Sequence, residues 1–313
     1  MTGAPRTLVV GPGAIGGFVA ARLTEAGWPV AAVAHGETLR ALRAGPLRLT
    51  DGDDEREVRL RAVGDPSEAG PADLALVCVK SFSTEAAARA LAPGLADGAV
   101  VLSLQNGVTN PAVIRRECPA AQVAGVAVYL GCQRPAPDHV IRRPSRNPAT
   151  GELRDALAGG GDGAPGDMLE RVGAAVGVPV RRGDADVALW TKLVANVSLN
   201  TVTALGRARV GALFAEPRAV DLMLALGRET VAVGRAAGVP LPADAAEAYV
   251  ADARRRLPAA GGSSTLFDLE AGRRLEREAL VGAVVAEGER LGVPVPASRA
   301  CDALLRLLSP REG

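Results

Sequence analysis

Lysine and asparagine are the scarce polar residues of this chain, and three of them recur at helical spacing. Of 36 basic residues only Lys80 and Lys192 are lysine, and there are five asparagines. Lys192, Asn196 and Asn200 are four residues apart in an apolar segment, which puts them on one face of a helix. Burial lowers the pKa of a lysine ammonium so that it can donate a proton, whereas arginine stays charged. This face therefore predicts a general acid beside two ligand-binding amides. The alternative is a lysine that reaches the surface beside asparagines that cap the helix or are simply buried.

A glycine-rich turn, GPGAIG at 11–16, follows a short β-branched run at 6–10 and precedes a stretch of helical apolar spacing at 17–26. In this strand–turn–helix context the GxGxxG pattern is typical of dinucleotide binding. The first glycine allows the tight turn, the second lets the pyrophosphate approach, and the third allows close helix–sheet packing. A turn in an α/β domain that binds no nucleotide is the alternative. The cofactor-binding residues expected here are Gly11, Gly13, Ala14, Ile15 and Gly16.

The end of the second predicted strand bears on which cofactor binds. NAD-binding domains usually carry Asp or Glu there to hold the ribose 2′-OH. Here the place is taken by 34–36, Ala-His-Gly; Glu37 follows, and Arg40 and Arg43 are close behind. The missing acid and the nearby cations favour NADP(H), with His35 at the 2′-phosphate, although a plain surface histidine would look the same. A nicotinamide cofactor implies hydride transfer.

Two more chemically useful residues come directly after predicted strands. Lys80 follows an apolar run at 73–79, and Asn106 comes shortly after another at 99–104. In open α/β sheets, ligands bind at the carboxyl ends of the strands. We therefore expect Lys80 and Asn106 at the cofactor edge of the sheet, although Asn106-Gly107 alone would be an ordinary turn pair.

Strand and helix patterns alternate in the first half of the chain, and only helical patterns follow. The alternation predicts a Rossmann-like, doubly wound α/β sheet. The helices expected after residue 183 lie at 185–206, 217–238, 243–257, 264–292 and 298–308. We predict an NADP-binding domain at 1–183 and an all-α substrate and dimerisation domain at 184–313, which is compatible with a homodimer. The Gly/Pro/Arg-rich residues 142–167 predict an irregular excursion within the first domain.

Composition argues against several other classes of protein. A net charge of +1 over 313 residues gives no electrostatic footprint for nucleic acid, and the arginine runs at 142–143 and 254–256 are typical of solvated faces. The acidic residues at 51–55 suit a solvated hairpin tip better than a cation site. Two histidines and four scattered cysteines offer no metal-ligand spacing. Without a signal peptide or a membrane-length apolar run, the sequence predicts a cytoplasmic protein without a metal or membrane partner.

Taken together, these motifs resemble the ketopantoate reductase family. The matching stretches run in order from Arg6 to about Pro296: the GxGxxG turn, Val79-Lys80, Leu104-Gln105-Asn106-Gly107, Trp190-x-Lys192-x-x-x-Asn196-x-x-x-Asn200, Ser263-Ser264-x-Leu266-x-Asp268, Glu276, and Gly292-Val293-Pro294-Val295-Pro296. The family couples an N-terminal Rossmann domain to a C-terminal helical domain. Its members reduce 2-dehydropantoate to (R)-pantoate with NADPH, on the route to pantothenate and coenzyme A.

The resemblance implies a role for each of the singled-out residues. Lys192 would protonate the substrate ketone as general acid, and Glu276 would engage the substrate and the active-site hydrogen bonds. The other implied contacts are Asn196, Asn200 and Ser264 on the carboxylate and hydroxyl of a 2-oxo acid, Asn106 between cofactor and substrate, and Lys80 beside the nicotinamide and its ribose. Taken alone, Ser264 would be a helix N-cap and Glu276 a solvated helix acid.

Two departures from the family leave alternatives open. The family often has arginine where this chain has His35, and a tidy hairpin where this chain has 142–167. A paralogous reductase of another ketone or 2-oxo acid in a specialised pathway is therefore a second hypothesis. A non-catalytic NADP(H)-binding redox sensor is a third, but it would lack the general acid or a substrate amide, and neither is missing here.

Overall fold

The computed structural model describes residues 3–145 and 153–308, which divide into two compact units. The described residues of the first unit fall within Met1–Gln105 and Asn110–Ala188, and those of the second within Asn106–Thr109 and Leu189–Gly313. The division falls inside a long helix. The boundary expected after residue 183 stays a prediction.

All the described strands belong to the first unit. In chain order they are β1 (Thr7–Val10), β2 (Val30–Val33), β3 (Leu47–Asp51), β4 (Asp54–Val58), β5 (Arg61–Val63), β6 (Ala72–Val77), β7 (Leu95–Ser103), β8 (Gln122–Tyr129), β9 (Cys132–Ala136), β10 (His139–Arg142), β11 (Ala156–Gly160) and β12 (Val180–Gly183). The helices of this unit are α1 (Ala14–Glu25), α2 (Gly36–Ala44), α3 (Thr84–Leu91), α4 (Asn110–Glu117) and α5 (Ala164–Val176).

Eight strands form the main sheet, in the order β12-β11-β8-β7-β6-β1-β2-β5. The strands from β8 to β5 are parallel, and β11 joins β8 antiparallel. Successive β1 residues face opposite sides, so Val9 joins one core cluster with Phe18 of α1 while Leu8 joins another with Leu91 of α3. Helices thus cover both faces, which explains the continuous apolar strands. The predicted Rossmann-like sheet is confirmed, with one edge reversed.

A second sheet of four strands, in the order β4-β3-β10-β9, packs against α1 through β9 and β10. Strand β10 is parallel to β3 and antiparallel to β9. Gly17 allows the close packing, because a Cβ at this position would lie 2.8 Å from Cγ2 of Val140 on β10. The absence of this Cβ therefore lets the small sheet, with β9 at its edge, lie directly on the first helix.

The small sheet contains a buried ion cluster that the sequence analysis missed. Arg142 is buried, and its Nη2 donates to Asp155 Oδ2 at 2.8 Å while Nη1 donates to Asp51 Oδ1 at 3.0 Å. Its guanidinium carbon lies 5.1 Å from the ring centroid of Phe18. The expectation that Arg142 lies on a solvated face is therefore wrong, and Asp51 is occupied by this cluster. Two carboxylates and an aromatic face compensate the cost of burying the cation.

The segment at 142–167 is more regular than expected. Within its described residues, β11 spans Ala156–Gly160 and α5 begins at Ala164; residues 146–152 lie outside the described part of the chain. The predicted irregular excursion is therefore wrong for these two elements. Strand β11 escaped recognition because its sequence, ALAGG, has none of the β-branched or aromatic residues typical of strands.

The second half of the chain is helical, as predicted. The helices are α6 (Ala185–Gly206), α7 (Val210–Ala215), α8 (Pro217–Ala236), α9 (Ala245–Arg256), α10 (Ser264–Glu270), α11 (Val281–Leu291) and α12 (Pro296–Leu308). Within the described ranges, 3–145 and 153–308, no helix is both long and apolar enough to cross a membrane.

The single helix expected at 264–292 is wrong, because α10 ends at Glu270 and α11 begins only at Val281. Gly272 adopts a φ of +64° and its N–H donates to Leu269 O at 3.1 Å, while the Arg273 N–H donates to Asp268 O at 2.8 Å. This pair of bonds is the Schellman arrangement that stops a helix at a left-handed glycine. Residues 271–280, named here the α10–α11 connection, therefore leave the helical path.

The buried ion cluster gives a prediction for stability. Arg142→Met leaves two carboxylates without their buried cation, so we expect the free energy of unfolding to fall by roughly 3–5 kcal/mol. Arg143→Met, one residue on at an exposed position, is the matched control and should change it by no more than about 0.5 kcal/mol. Urea unfolding followed by circular dichroism measures both. Equal losses in the two variants would contradict a specific role for the Arg142 cluster.

Candidate functional site

The turn after β1 uses two of its three motif glycines for packing within the chain. Gly11 has a φ of +87°, and a Cβ there would lie 2.6 Å from Cγ1 of Val79. A Cβ on Gly16 would lie 2.2 Å from the carbonyl oxygen of Gly11. Larger residues at either position would push α1 away from the sheet. These two glycines therefore fix the start of α1 against the ends of β1 and β6.

Gly13 needs another explanation. Its φ of −78° is accessible to any residue, and a Cβ there would meet no atom within 4 Å. The N-cap of α1 is a glycine, which has no side chain to accept a hydrogen bond, and the first turn of the helix has no acid. The N–H groups of Ala14, Ile15 and Gly16 therefore receive no side-chain cap from this residue. Bare backbone at a helix N-terminus is suited to a phosphate group. The residues present therefore fit the pyrophosphate of a dinucleotide.

The loops after β2 and β6 lie on either side of this turn, since these strands flank β1 in the sheet. His35 is the exposed N-cap residue of α2 and makes no side-chain bond to that helix. Hydrogen bonds from Ser67 lower the pKa of Asp65, and the charge of His35 adds to that effect, so Asp65 lies near His35. Lys80 is partly buried directly beyond β6. Their roles toward a cofactor stay predictions.

A buried amide connects the loop after β6 to the end of β7, and the sequence analysis overlooked it. Gln105 Nε2 donates to Val79 O at 3.0 Å and to Thr84 Oγ1 at 2.7 Å, and Gln105 Oε1 accepts from Ser103 Oγ at 3.0 Å. These bonds fix the backbone directly before Lys80. Gln105 belongs to the Leu104–Gly107 motif, in which the sequence predicted a role only for its neighbour Asn106.

In the second unit, α6 carries the scarce lysine and two asparagines at successive i, i+4 positions. Asn200 is buried, and its Nδ2 donates to Ser264 Oγ at 3.4 Å. Asn196 Nδ2 is also buried, but it finds no hydrogen-bond partner in the described part of the chain. A buried donor left without a partner costs about 1–3 kcal/mol, so such a group in a native protein calls for a ligand atom or water.

Ser264 is not the N-cap of α10. That position belongs to Ser263, whose Oγ accepts from Leu266 N at 3.1 Å and lies 2.7 Å from Thr203 Oγ1 on α6. Ser264 is the next residue, is exposed, and directs its hydroxyl to Asn200. The alternative of a simple helix cap is therefore wrong for Ser264, whose hydroxyl lies beside the α6 amides.

Glu276 lies in the α10–α11 connection and is buried, with 8% of its surface exposed. The expectation of a solvated helix acid, which applied to Glu276 taken alone, is wrong on both counts. The next residue, Arg277, forms a buried ion pair with Asp302 of α12. This pair holds the backbone that carries Glu276, because both side chains are almost completely enclosed.

Asn106 and Gly107 approach the same connection. Gly107 has a φ of +94°, and a Cβ there would lie 2.6 Å from the carbonyl oxygen of Ala279. Glycine is therefore required both by the backbone conformation and by the close contact. Asn106-Gly107 is more than an ordinary turn pair, since it brings Asn106 next to the segment that carries Glu276.

Electrostatics connects Lys192 to Glu276. Burial lowers the pKa of Lys192 to about 8, and the negative charge of Glu276 acts in the opposite direction and raises it. An ammonium with this pKa is still mostly protonated at neutral pH, yet it gives up its proton far more readily than an exposed lysine. The arrangement is therefore suited to donating a proton to an oxygen that becomes negatively charged.

Comparison with known proteins finds one protein family that matches both units of the chain. The family model described as "Ketopantoate reductase PanE/ApbA" matches residues 7–154, and the model of its C-terminal part matches residues 184–309. A 2-dehydropantoate 2-reductase of Halobacterium salinarum is 33% identical, covering 98% of this chain and 100% of that protein.

Solved structures give the same result for the fold. A PanE/ApbA family ketopantoate reductase from Ralstonia eutropha JMP134 has a TM-score of 0.85 and 36% identity, covering 96% of this chain and 98% of the other. A D-mandelate dehydrogenase, solved with NADH and anilino(oxo)acetate, has a TM-score of 0.84 at 18% identity, covering 96% of this chain and 98% of the other. The latter likeness concerns the fold alone.

The Lys192–Glu276 interaction gives a prediction that needs no substrate. With only two lysines, protein labelled with 13C at lysine Cε gives two signals, which Lys80→Arg assigns. We expect Lys192 to titrate near pH 8 and Glu276→Gln to lower that midpoint, because the carboxylate that stabilises the ammonium is gone. Glu270→Gln, which removes an exposed carboxylate at the end of α10, is the control. An unchanged or higher midpoint in Glu276→Gln would show that the two groups are not coupled.

Proposed function

This chain belongs to the ketopantoate reductase family, and on that basis we propose that it reduces 2-dehydropantoate to (R)-pantoate with NADPH. It is an oxidoreductase that acts on CH–OH groups. The observation that carries the proposal is the desolvated Lys192 ammonium, coupled to a buried Glu276. Lys192 lies on the same helix face as Asn196, whose Nδ2 is a buried donor that has no hydrogen-bond partner among the described residues.

The reaction requires a hydride for the carbonyl carbon and a proton for the carbonyl oxygen. The nicotinamide supplies the hydride when it is bound. Lys192 Nζ donates the proton to the ketone oxygen as negative charge develops there, and the neutral amine left behind is tolerated because the site is desolvated. Glu276 keeps enough positive charge on Lys192 before the step for a proton to be present at neutral pH.

The substrate is bound by groups that match a 2-oxo acid. Asn196 Nδ2 is a buried donor that a carboxylate or ketone oxygen satisfies. Asn200 and Ser264, which already contact each other, present an amide and a hydroxyl that bind the remaining polar oxygens. Asn106 adds another amide next to the α10–α11 connection.

The cofactor is a nicotinamide dinucleotide, and we assign NADP(H) as its form. The open backbone at Gly13 and the uncapped start of α1 fit its pyrophosphate. No carboxylate ends β2, where NAD-binding domains usually hold the 2′-OH, since Ala34 and His35 stand there. Lys80, beyond β6, is assigned to the nicotinamide ribose.

A second candidate is a reductase of a different 2-oxo acid. The same fold occurs in a D-mandelate dehydrogenase, whose acid carries an aromatic group in place of the pantoyl chain. The polar residues that bind the 2-oxo acid group would be the same in both cases. The candidates therefore differ in the substrate tail, and only a panel of substrates separates them.

The central test is oxidation of NADPH by the purified protein with 2-dehydropantoate and, in parallel, with aromatic and aliphatic 2-oxo acids. Lys192→Ala should lower kcat by roughly 10²–10⁴-fold, the usual effect of removing a general acid, while NADPH still binds. Thr191→Ala, at the exposed neighbouring position, should keep full activity. Full activity in Lys192→Ala would exclude Lys192 as the acid, and no turnover of any 2-oxo acid would favour the redox-sensor hypothesis.

The unpartnered amide gives a prediction in which stability and activity change in opposite directions. Asn196→Leu replaces a buried, unsatisfied donor with an apolar side chain of the same branching, so the free energy of unfolding should rise by about 1 kcal/mol while KM for the 2-oxo acid rises roughly 10–100-fold. Ser198→Ala is the control, because Ser198 Oγ on the same helix is also buried and finds no hydrogen-bond partner within residues 3–145 and 153–308. It should be equally stabilising and leave KM unchanged. A lower stability of Asn196→Leu would mean that the amide is satisfied inside the protein.

A further inference from the structure

The guanidinium of Arg134 contacts the start of α2, although the two are distant in the sequence. Arg134 lies on β9, the edge strand of the four-stranded sheet, and its Nη1 donates to Thr38 Oγ1 at 2.8 Å. Thr38 is in the first turn of α2, three residues after His35, which is the N-cap of that helix. The two bonded residues are 96 positions apart in the chain. No local sequence motif predicts this contact.

The location of Arg134 follows from the packing of the first unit. Strand β9 packs against α1, whose N-terminus has the bare backbone suited to the pyrophosphate. Helix α2 begins directly after β2, the strand next to β1. In this type of fold the adenosine ribose lies at the end of the second strand, beside the start of the following helix. The Arg134 guanidinium is therefore held at the ribose end of the dinucleotide site.

The local electrostatics favours an anion at this point. A helix N-terminus already has partial positive charge, so a guanidinium bonded to the first turn of α2 adds like charge. Neither nearby acid is positioned to neutralise the Arg134 guanidinium. Asp65 accepts hydrogen bonds from Ser67 and lies near His35. Glu37 is rotated about 100° around the helix from Thr38. A doubly charged phosphate monoester would compensate the excess positive charge.

The arginines that follow β2 in the sequence are less suited to this task. Arg43 is in the last turn of α2, where its Nη2 bonds Glu68 Oε2 at 3.2 Å and its Nε points to Ala62 O at 3.4 Å. Arg40 is a full turn further along α2 than His35, and it is exposed. His35 itself has the Asp65 carboxylate as a neighbour, which offsets any positive charge it carries.

We propose that Arg134, held in place by Thr38, binds the 2′-phosphate of NADP(H) and sets the preference for NADP(H) over NAD(H). This inference rests on the proposed function, since it names the residue that reads the cofactor in that reaction. A planar guanidinium binds a phosphate monoester through paired, charge-assisted hydrogen bonds, and the Thr38 hydroxyl is left beside it as a further donor.

The test measures binding of cofactor fragments, without any turnover. Isothermal titration compares adenosine 2′,5′-bisphosphate with adenosine 5′-monophosphate on the wild-type protein, Arg134→Gln, Arg134→Lys and the control Arg40→Gln. We expect Arg134→Gln to weaken binding of the bisphosphate roughly 10–100-fold, because a charge-assisted contact is lost. The affinity for the monophosphate should stay unchanged. Arg134→Lys should restore part of the loss, and Arg40→Gln should match the wild type.

Salt supplies a second readout. Because Arg134 is exposed, the advantage of the bisphosphate over the monophosphate should shrink as salt rises from about 0.05 M to about 0.3 M, and this dependence should disappear in Arg134→Gln. A bisphosphate affinity that is unchanged in Arg134→Gln overturns the inference. So does an equal loss for both fragments, which indicates a structural role, or a wild-type protein that does not prefer the bisphosphate.

The fragment test and the activity test fail independently. If adenosine 2′,5′-bisphosphate binds the wild-type protein more tightly than Arg134→Gln but no 2-oxo acid is reduced, the inference is supported and the proposed function is contradicted. If 2-dehydropantoate is reduced with NADPH and Arg134→Gln keeps the NADPH to NADH ratio of affinities, the proposed function stands and the inference falls.

Discussion

The coupling between the Lys192 ammonium and the Glu276 carboxylate is the interaction on which the proposed active site depends. Burial lowers the pKa of Lys192, and the negative charge of Glu276 limits that lowering. Glu276 opposes the desolvation and keeps the balance near neutral pH. A carboxylate can do this only if it is itself buried and fixed, because solvent would screen its charge.

The carboxylate of Glu276 lies in the interruption between α10 and α11. A continuous helix would set Glu276 on a regular helical path, whereas the left-handed Gly272 ends α10 and starts a connection of irregular backbone. The Arg277–Asp302 ion pair then anchors this connection to α12, and Gly107 approaches it closely enough to exclude any side chain. The helical path is thus interrupted where the proposed function requires a fixed carboxylate.

The three motif glycines of the first unit differ in how far the packing of the protein itself requires them. Gly11 and Gly16 are needed by the protein itself, because a Cβ on either would collide with neighbouring atoms. A Cβ on Gly13 would meet no atom within 4 Å, and this open backbone is where the proposed cofactor would approach. The same unit buries Arg142 between Asp51 and Asp155, so its abundant arginines are not only surface residues.

The fold class, the family, the GxGxxG turn and the helix that carries Lys192, Asn196 and Asn200 could all be predicted from the sequence. These depend on short-range periodicity and motif spacing, which a linear reading captures. The sequence could also have shown the end of α10, since Gly272 is a helix-stop residue. It could not show that Ser263 rather than Ser264 caps α10, that Glu276 is buried, or that Arg134 meets Thr38 across 96 residues. Burial and long-range pairing were decided by the tertiary structure alone, because they depend on which surfaces the packed elements bring together.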